Sequence, residues 1–370
     1  MLSEHLAYLS DSCRLESFAA AIRAVVKPGD VVVDLACGSG ILGLLALKAG
    51  AARVYCVDDG AILDVARETF RRNGLEDRVV LVRARAQQAM LPEKVDVAVC
   101  DNVGWLGFDY GIVELLQDAR GRMLKPGAQV IPRALEIHLA PVESPDCIGP
   151  RIAWPAMPGE FGWLKEGWTN AKHPVELQSG QLLGAAAKLG RIDLTRDNPE
   201  FLTWSARLQV ERPGKLHGLG GWFECELGPD TWMTNSPSSS CRINRPQAFL
   251  PIDEAVSVVA GEAIEVTLMA RPGEALIAWE VRLVATGRRF GHSTFHGNAL
   301  STFHLAQTSP ARVPRISPEA RARQIVWNYC DGRRTAREIE ESVLRDFPAL
   351  LPCEGEIRRF VADVLTRDAP

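Results

Sequence analysis

The 370-residue chain has no run of about 18 apolar residues, the length that a membrane-spanning helix needs. Its first 14 residues are broken by Glu4, His5, Asp11 and Arg14, where a secretory signal would be uninterrupted and apolar. Among the nine cysteines, at 13, 37, 56, 100, 147, 225, 241, 330 and 353, there is no Cys-x-x-Cys pair and no Cys/His ligand spacing. The usual structural zinc motifs are thereby excluded, and the expectation is a reduced, cytoplasmic, unexported protein with no metal site. Neither sign of charge dominates. Lys+Arg total 42 against 46 Asp+Glu, a formal charge of −4, so no global basic field exists to hold a nucleic-acid backbone. Internal repeats and low-complexity tracts are also missing. What remains is an ordinary globular composition, 46% hydrophobic and 24% charged, with length for two or three domains at about 150 residues each.

Residues 14–132 alternate between two periods as a parallel α/β sheet requires. Short β-branched runs, Val31-Val32-Val33-Asp34-Leu35, Arg53-Val54-Tyr55-Cys56-Val57, Val79-Val80-Leu81-Val82 and Val95-Asp96-Val97-Ala98-Val99-Cys100, are separated by helix-like stretches at 41–49, 61–72 and 110–124. This pattern predicts a Rossmann-like, doubly wound domain over residues 1–135. Lys125-Pro126-Gly127 reads as the turn that ends its last helix. Residues 136–304 lose the helical period and predict a β-rich barrel or sandwich, with alternating runs at 204–210, 221–227, 263–269 and 276–285. Pro310, Pro314 and Pro318 mark a linker over 305–318, followed at 319–370 by a small helical module. Thr335-x-x-Glu338 has the form of a capping box opening its second helix.

Asp34-Leu35-Ala36-Cys37-Gly38-Ser39-Gly40-Ile41-Leu42-Gly43 lies between a predicted strand and helix, where backbone N–H groups can meet a ligand. Gly38-x-Gly40-x-x-Gly43 also satisfies dinucleotide spacing. Asp34, four residues before the first glycine, would repel a pyrophosphate but could pair with an ammonium. S-adenosylmethionine carries that ammonium and no phosphate. Asp58, ending the next strand, is placed to accept ribose hydroxyls, and Ala86 and Gln87 follow the third strand, near an adenine edge. The alternatives are a dinucleotide, or a plain tight turn with solvated acids. Asp101 leaves the fourth strand at its carboxyl end, where open α/β sheets place ligands, and is the candidate to orient or deprotonate an acceptor. Tyr110 is a candidate hydrogen-bond donor or stacking partner, and Trp105 a candidate wall.

The cofactor loop, with Ala46-Leu47-Lys48-Ala49-Gly50-Ala51 after it and His5-x-x-x-Leu9-x-Asp11-x-x-Arg14 before it, resembles that of the protein arginine methyltransferases, with Ala36 where a glycine is usual. The resemblance implies S-adenosylmethionine as cofactor, Arg14 as partner of its carboxylate, and His5 and Tyr8 on a lid. It also implies Asp34, Gly38, Gly40, Asp58, Ala86 and Gln87 in the binding surface, a β-barrel, and a head-to-tail homodimer. Where the family grips guanidinium with two glutamates, this chain has Asp101 and Tyr110, with Asp109 a substitute by a one-residue slip. The family's Thr-His-Trp loop falls near Arg242-Ile243-Asn244, which preserves none of it. Residues 325–339 resemble the helical part of winged-helix peptide-recognition domains from ribosomal-peptide maturation. That resemblance implies a peptide or protein substrate presented through a leader peptide. The expected function is methylation of a peptide side chain, with arginine methylation and non-catalytic peptide binding as alternatives.

Overall fold

The computed structural model describes residues 2–149, 157–297 and 310–368. His304 and part of the linker expected at 305–318 lie outside them. Residues 1–299 make one compact unit and residues 300–370 another.

The first unit opens with α1 (Leu2–Ser10) and α2 (Ser12–Val25), then alternates β1 (Val31–Leu35), α3 (Ile41–Lys48), β2 (Arg53–Asp58), α4 (Leu63–Arg72), β3 (Val79–Arg83), β4 (Val95–Cys100), α5 (Ile112–Arg122) and β5 (Leu124–Ile131). The strands pair in parallel in the order β3-β2-β1-β4-β5. Because β1 and β4 are central and covered on both faces, they read as continuous apolar runs rather than alternating ones. Helix α4 buries one stripe, Leu63, Ala66 and Phe70, whereas α3 is buried nearly all round through Leu42, Leu44, Ala46 and Leu47. Strand order reverses between β1 and β4, which opens a crevice at their carboxyl ends. One expectation fails here: Lys125-Pro126-Gly127 does not end a helix. Instead α5 stops at Arg122, and the tripeptide sits inside β5, where the register with β4 shifts between Val95 and Val97. Gly127 has φ +78°, as a bulge favours, so its turn chemistry serves a strand irregularity.

The chain then builds two antiparallel sheets from β6 (Ala134–Val142), β7 (His173–Val175), β8 (Ala187–Asp193), β9 (Leu202–Gln209), β10 (Gly214–Gly228), β11 (Thr231–Thr234), β12 (Gln247–Val258), β13 (Ala263–Arg271), β14 (Leu276–Leu283) and β15 (Arg289–Ser293). One has the order β7-β12-β10-β6-β8 with β11 beside β10; the other is β15-β14-β13-β9. Strict alternation along β13 buries Ile264, Val266, Leu268 and Ala270 against the facing sheet. Fully buried Trp279 satisfies its indole N–H on the Pro251 carbonyl at 2.8 Å. A single apolar core runs from the parallel sheet into both antiparallel ones.

Reduced thiols throughout are not what the structure shows. Cys13 on α2 and Cys241 in the loop after β11 form a disulfide across a sequence separation of 228 residues, a bond that reducing compartments disfavour. No linear spacing could signal it. The other seven cysteines are free.

The described residues of the second unit form three helices, α6 (Pro318–Trp327), α7 (Ala336–Asp346) and α8 (Glu354–Asp368), around Val326, Ile339, Val343, Ile357, Val361 and Val364. Thr335 and Glu338 form the capping box reciprocally. No strand occurs among its described residues, so the wing of a winged helix is absent there. Its first connection is instead a tight turn in which Asp331 accepts the backbone N–H groups of Arg333 and Arg334. No helix among the described residues is long and apolar enough to cross a membrane.

Candidate active site

The carboxyl end of β1 presents Asp34, which is 1% exposed. Its Oδ2 accepts the Gly43 N–H at 2.8 Å, while Oδ1 is buried with no hydrogen-bond partner. Burial pushes this carboxyl up to about 7, and the nearby charges of Asp58 and Asp101 add to the effect, against the Gly43 N–H and Arg14. A buried oxygen left without a donor is the feature an ammonium would complete.

Asp58, at the end of β2, accepts N–H groups from Gly38 (2.9 Å) and Gly60 (2.8 Å). Two adjoining clefts meet at Ala36, Asp58, Asn102 and Tyr110, forming one trough. Ala86, Gln87, Val57 and Leu115 line one end. At the other end stand His5, Tyr8, Arg14, Asp34, Gly38 and Asp101. Gly38 has φ +54°, and a Cβ there would come within 2.9 Å of His5 Cε1, so the N-terminal helix closes directly over the glycine turn. Ala36 adopts φ +53°, a left-handed conformation costly for a residue with a Cβ. Gly40 caps α3 and faces Ala66 and Phe70 of α4, which gives it a packing place rather than one in the trough.

Arg14 is aimed by its helix start. Asp11 caps α2 by accepting the Arg14 N–H at 3.0 Å. The Arg14 guanidinium grips Asp101 Oδ2 through Nε and Nη2, and Nη1 donates to the Tyr8 carbonyl at 3.2 Å. Each side chain of this pair is 7% exposed. Asp101 Oδ1 remains buried and unpartnered. Tyr110 stands half-open beside Trp105, with ring centroids 6.1 Å apart.

Asp109 is placed elsewhere. Its Oδ1 accepts the Leu106 N–H at 2.8 Å, its Oδ2 pairs with Lys172, and it does not line the trough. Gly104 allows this folding-in, because a Cβ there would overlap the Asp109 carboxylate. Two residues of the site carried no signal in the sequence. Lys172 projects over the Trp105 and Tyr110 rings at 4.7 and 5.6 Å, and Arg245 reaches the trough from the loop between β11 and β12. Only the tertiary approach of segments over 60 and over 130 residues away brings them to the Tyr110 ring.

Away from the trough, β6–β10 pairing brings Glu136, His138 and Glu224 together with ligand atoms within 4.8 Å of one another, a grouping that linear spacing does not reveal. Lys188 at 2.6 Å and Arg191 at 3.2 Å already neutralise Glu136.

A doubly wound sheet with an orphaned carboxylate oxygen at β1, an acid at the end of β2 and an arginine beside the N-terminal helix makes a trough with the charges that suit a nucleoside joined to an amino acid. Residues 17–132 match the family described as Ribosomal protein L11 methyltransferase (PrmA). The chain is an S-adenosylmethionine-dependent methyltransferase. It is 28% identical over 272 residues to an arginine N(omega)-methyltransferase of Streptomyces achromogenes subsp. streptozoticus, covering 71% of this chain and 75% of that one. It is 29% identical over 246 residues to the probable protein arginine N-methyltransferase 6.1 of Oryza sativa subsp. japonica, covering 63% of each. The fold is that of the Trypanosoma brucei PRMT1 enzyme-prozyme heterotetrameric complex with AdoHcy, at TM-score 0.71 and 21% identity over 79% of this chain and 98% of that one. It is also that of Arabidopsis thaliana protein arginine methyltransferase 10, at TM-score 0.68 and 21% identity over 80% and 98%.

The residues present fit S-adenosylmethionine. Asp34 Oδ1 suits its ammonium, Arg14 its carboxylate, Asp58 its ribose, and Ala86 with Gln87 its base.

Proposed function

We propose that this methyltransferase methylates a guanidinium nitrogen of arginine, with Asp101 as its one carboxylate ligand. The observation that carries the reading is the division of labour at Asp101: Arg14 holds Oδ2, and Oδ1 is buried, unpartnered and in the trough. Bound S-adenosylmethionine supplies a sulfonium methyl group for in-line displacement. Asp101 Oδ1 accepts an N–H of the acceptor, fixes the rotation of its planar group, and draws off the proton that must leave a guanidinium. Tyr110 and Trp105 wall the acceptor from water, and His5 and Tyr8 close the donor side. The family's two-carboxylate clamp is reduced to one, because Asp109 is committed to Lys172 and the loop backbone. The names of both curated relatives support arginine as acceptor.

The test supplies labelled methyl donor with L-arginine and arginine peptides, and locates the label by mass spectrometry. Methylated guanidinium, lowered about a hundredfold or more by Asp101→Asn with AdoHcy binding retained, is the expected result. Methyl groups on another atom overturn it.

A second reading, favoured by exposed Trp327 and Phe347 on the C-terminal helices, keeps the acceptor in a peptide that these helices recruit through a leader segment, as in ribosomal-peptide maturation. Deletion of 310–370 would then abolish methylation of the peptide while sparing AdoHcy binding. The homodimer implied by the family resemblance is read by sedimentation of the full chain.

A further inference from the structure

Arg245 is 6% exposed and lines the trough beside Tyr8 and Tyr110, its guanidinium carbon 5.5 and 6.0 Å from their ring centroids. Its Nη1 is buried and has no hydrogen-bond partner. The surrounding acids are already assigned. Asp101 is paired with Arg14, Asp109 with Lys172, and Asp58 accepts two backbone N–H groups. Asp34 lies against the glycine turn, through Gly43. The two aromatic faces give Arg245 partial compensation, but a guanidinium taken from water with no counter-ion is costly, and one that persists in a ligand trough is completed by the ligand. Its loop is held in place: Asn244 donates its backbone N–H to Asp11 Oδ2 at 2.7 Å, and Cys241 is bonded to Cys13. The arginine is thus presented by an anchored segment, not by a free surface loop.

We propose that Arg245 is the receptor for a carboxylate carried by the acceptor. Resting on arginine as acceptor, one cleft offers an acid, Asp101, for the guanidinium and a cation, Arg245, for the carboxylate. An arginine inside a polypeptide has no such carboxylate. The acceptor class is therefore a free amino acid or a chain ending in arginine.

The experiment compares L-arginine with agmatine, which keeps the guanidinium and lacks the carboxylate, in the full-length wild type and in Arg245→Met. The wild type is expected to prefer L-arginine in kcat/KM by roughly tenfold to a hundredfold, the worth of one charge-assisted pair. Arg245→Met is expected to bring the two substrates within about twofold and to leave AdoHcy affinity unchanged by titration calorimetry. Equal use of agmatine by the wild type, or a preference that survives in the variant, overturns the proposal. So does a loss of AdoHcy affinity matching the loss of activity, which would seat the donor's carboxylate at Arg245 instead. If neither guanidine nor any arginine peptide is methylated, the arginine reading fails on its own, and formate serves as the probe. Formate should raise the melting temperature of the AdoHcy-loaded wild type and not that of Arg245→Met; an equal rise in both overturns the proposal. The variant removes a buried unpaired charge and is expected to melt no lower than the wild type, which separates lost recognition from lost folding.

Discussion

Asp34→Asn should make the ligand-free enzyme more stable and a worse binder of its cofactor. The carboxyl rises from an ordinary 3.8 to about 7, chiefly because it is buried, and at about 1.4 kcal/mol per pH unit this corresponds to about 4 kcal/mol. A carboxyl raised on folding contributes its stability below pH 4 and loses it as pH climbs towards 7. The wild type therefore weakens across that window, and the asparagine variant, with no charge to bury, does not share the slope. At pH 8 the variant should melt several degrees higher, since a unit of about 300 residues gains roughly 1.5 °C per kcal/mol by the usual unfolding entropy. At pH 4 the two should coincide. The asparagine carbonyl can still accept the Gly43 N–H, so the loop keeps its anchor. Cofactor affinity should fall roughly tenfold to a hundredfold at pH 8, the loss of a charge-assisted contact to the ammonium. Wild-type affinity should itself weaken below about pH 7 as Asp34 takes up a proton. Scanning calorimetry without ligand, with titration calorimetry against AdoHcy from pH 4 to 8, measures all of this. A variant less stable than the wild type at pH 8, or one that binds AdoHcy normally, would refute the reasoning.

Three other outcomes follow from the geometry. Asp109→Ala strands Lys172 and uncaps the Leu106 N–H, and should cost about 3–5 kcal/mol in a urea melt with AdoHcy affinity intact; Asp109→Asn, which keeps the backbone acceptor, should recover part of it. Ala36→Gly relieves a left-handed alanine and should raise the unfolding free energy in a urea melt by roughly 0.5–1 kcal/mol after the added unfolded-state freedom is deducted. The Cys13→Ser/Cys241→Ser double variant opens the link between α2 and the Arg245 loop; it should lose about 2–4 kcal/mol and show faster proteolysis near both positions.

Where structure is written locally, the sequence was readable. Parallel strands β1 to β4 are short runs rich in β-branched residues, and α4 and α5 bury stripes at helical spacing. The acids at the ends of β1, β2 and β4 could be located because strand ends are where such sheets bind ligands. The Lys125-Pro126-Gly127 signal misled because a bulge and a helix stop use the same residues. Strand β10 extends over 15 residues, although only its apolar second half, 221–227, alternates visibly. Its glycine-rich first half is strand because β6 and β12 flank it, a fact that lies far off in the chain. The acceptor end was least legible. Arg245, Lys172 and the Cys13–Cys241 bond owe their places to chain crossings that no short window contains. Asp109 had the right chemistry one residue from the expected place, but a neighbouring glycine let it turn inward.

The fastening of the 241–245 segment to the start of α2, by one covalent bond and one Asp11 contact, ties Arg245 to the same wall of the trough as Arg14. A donor held by Arg14, as proposed, would also set the angle at which Arg245 meets the acceptor. Turnover should accordingly be ordered, with the donor entering first and its arrival shaping the recess into which the second reactant fits.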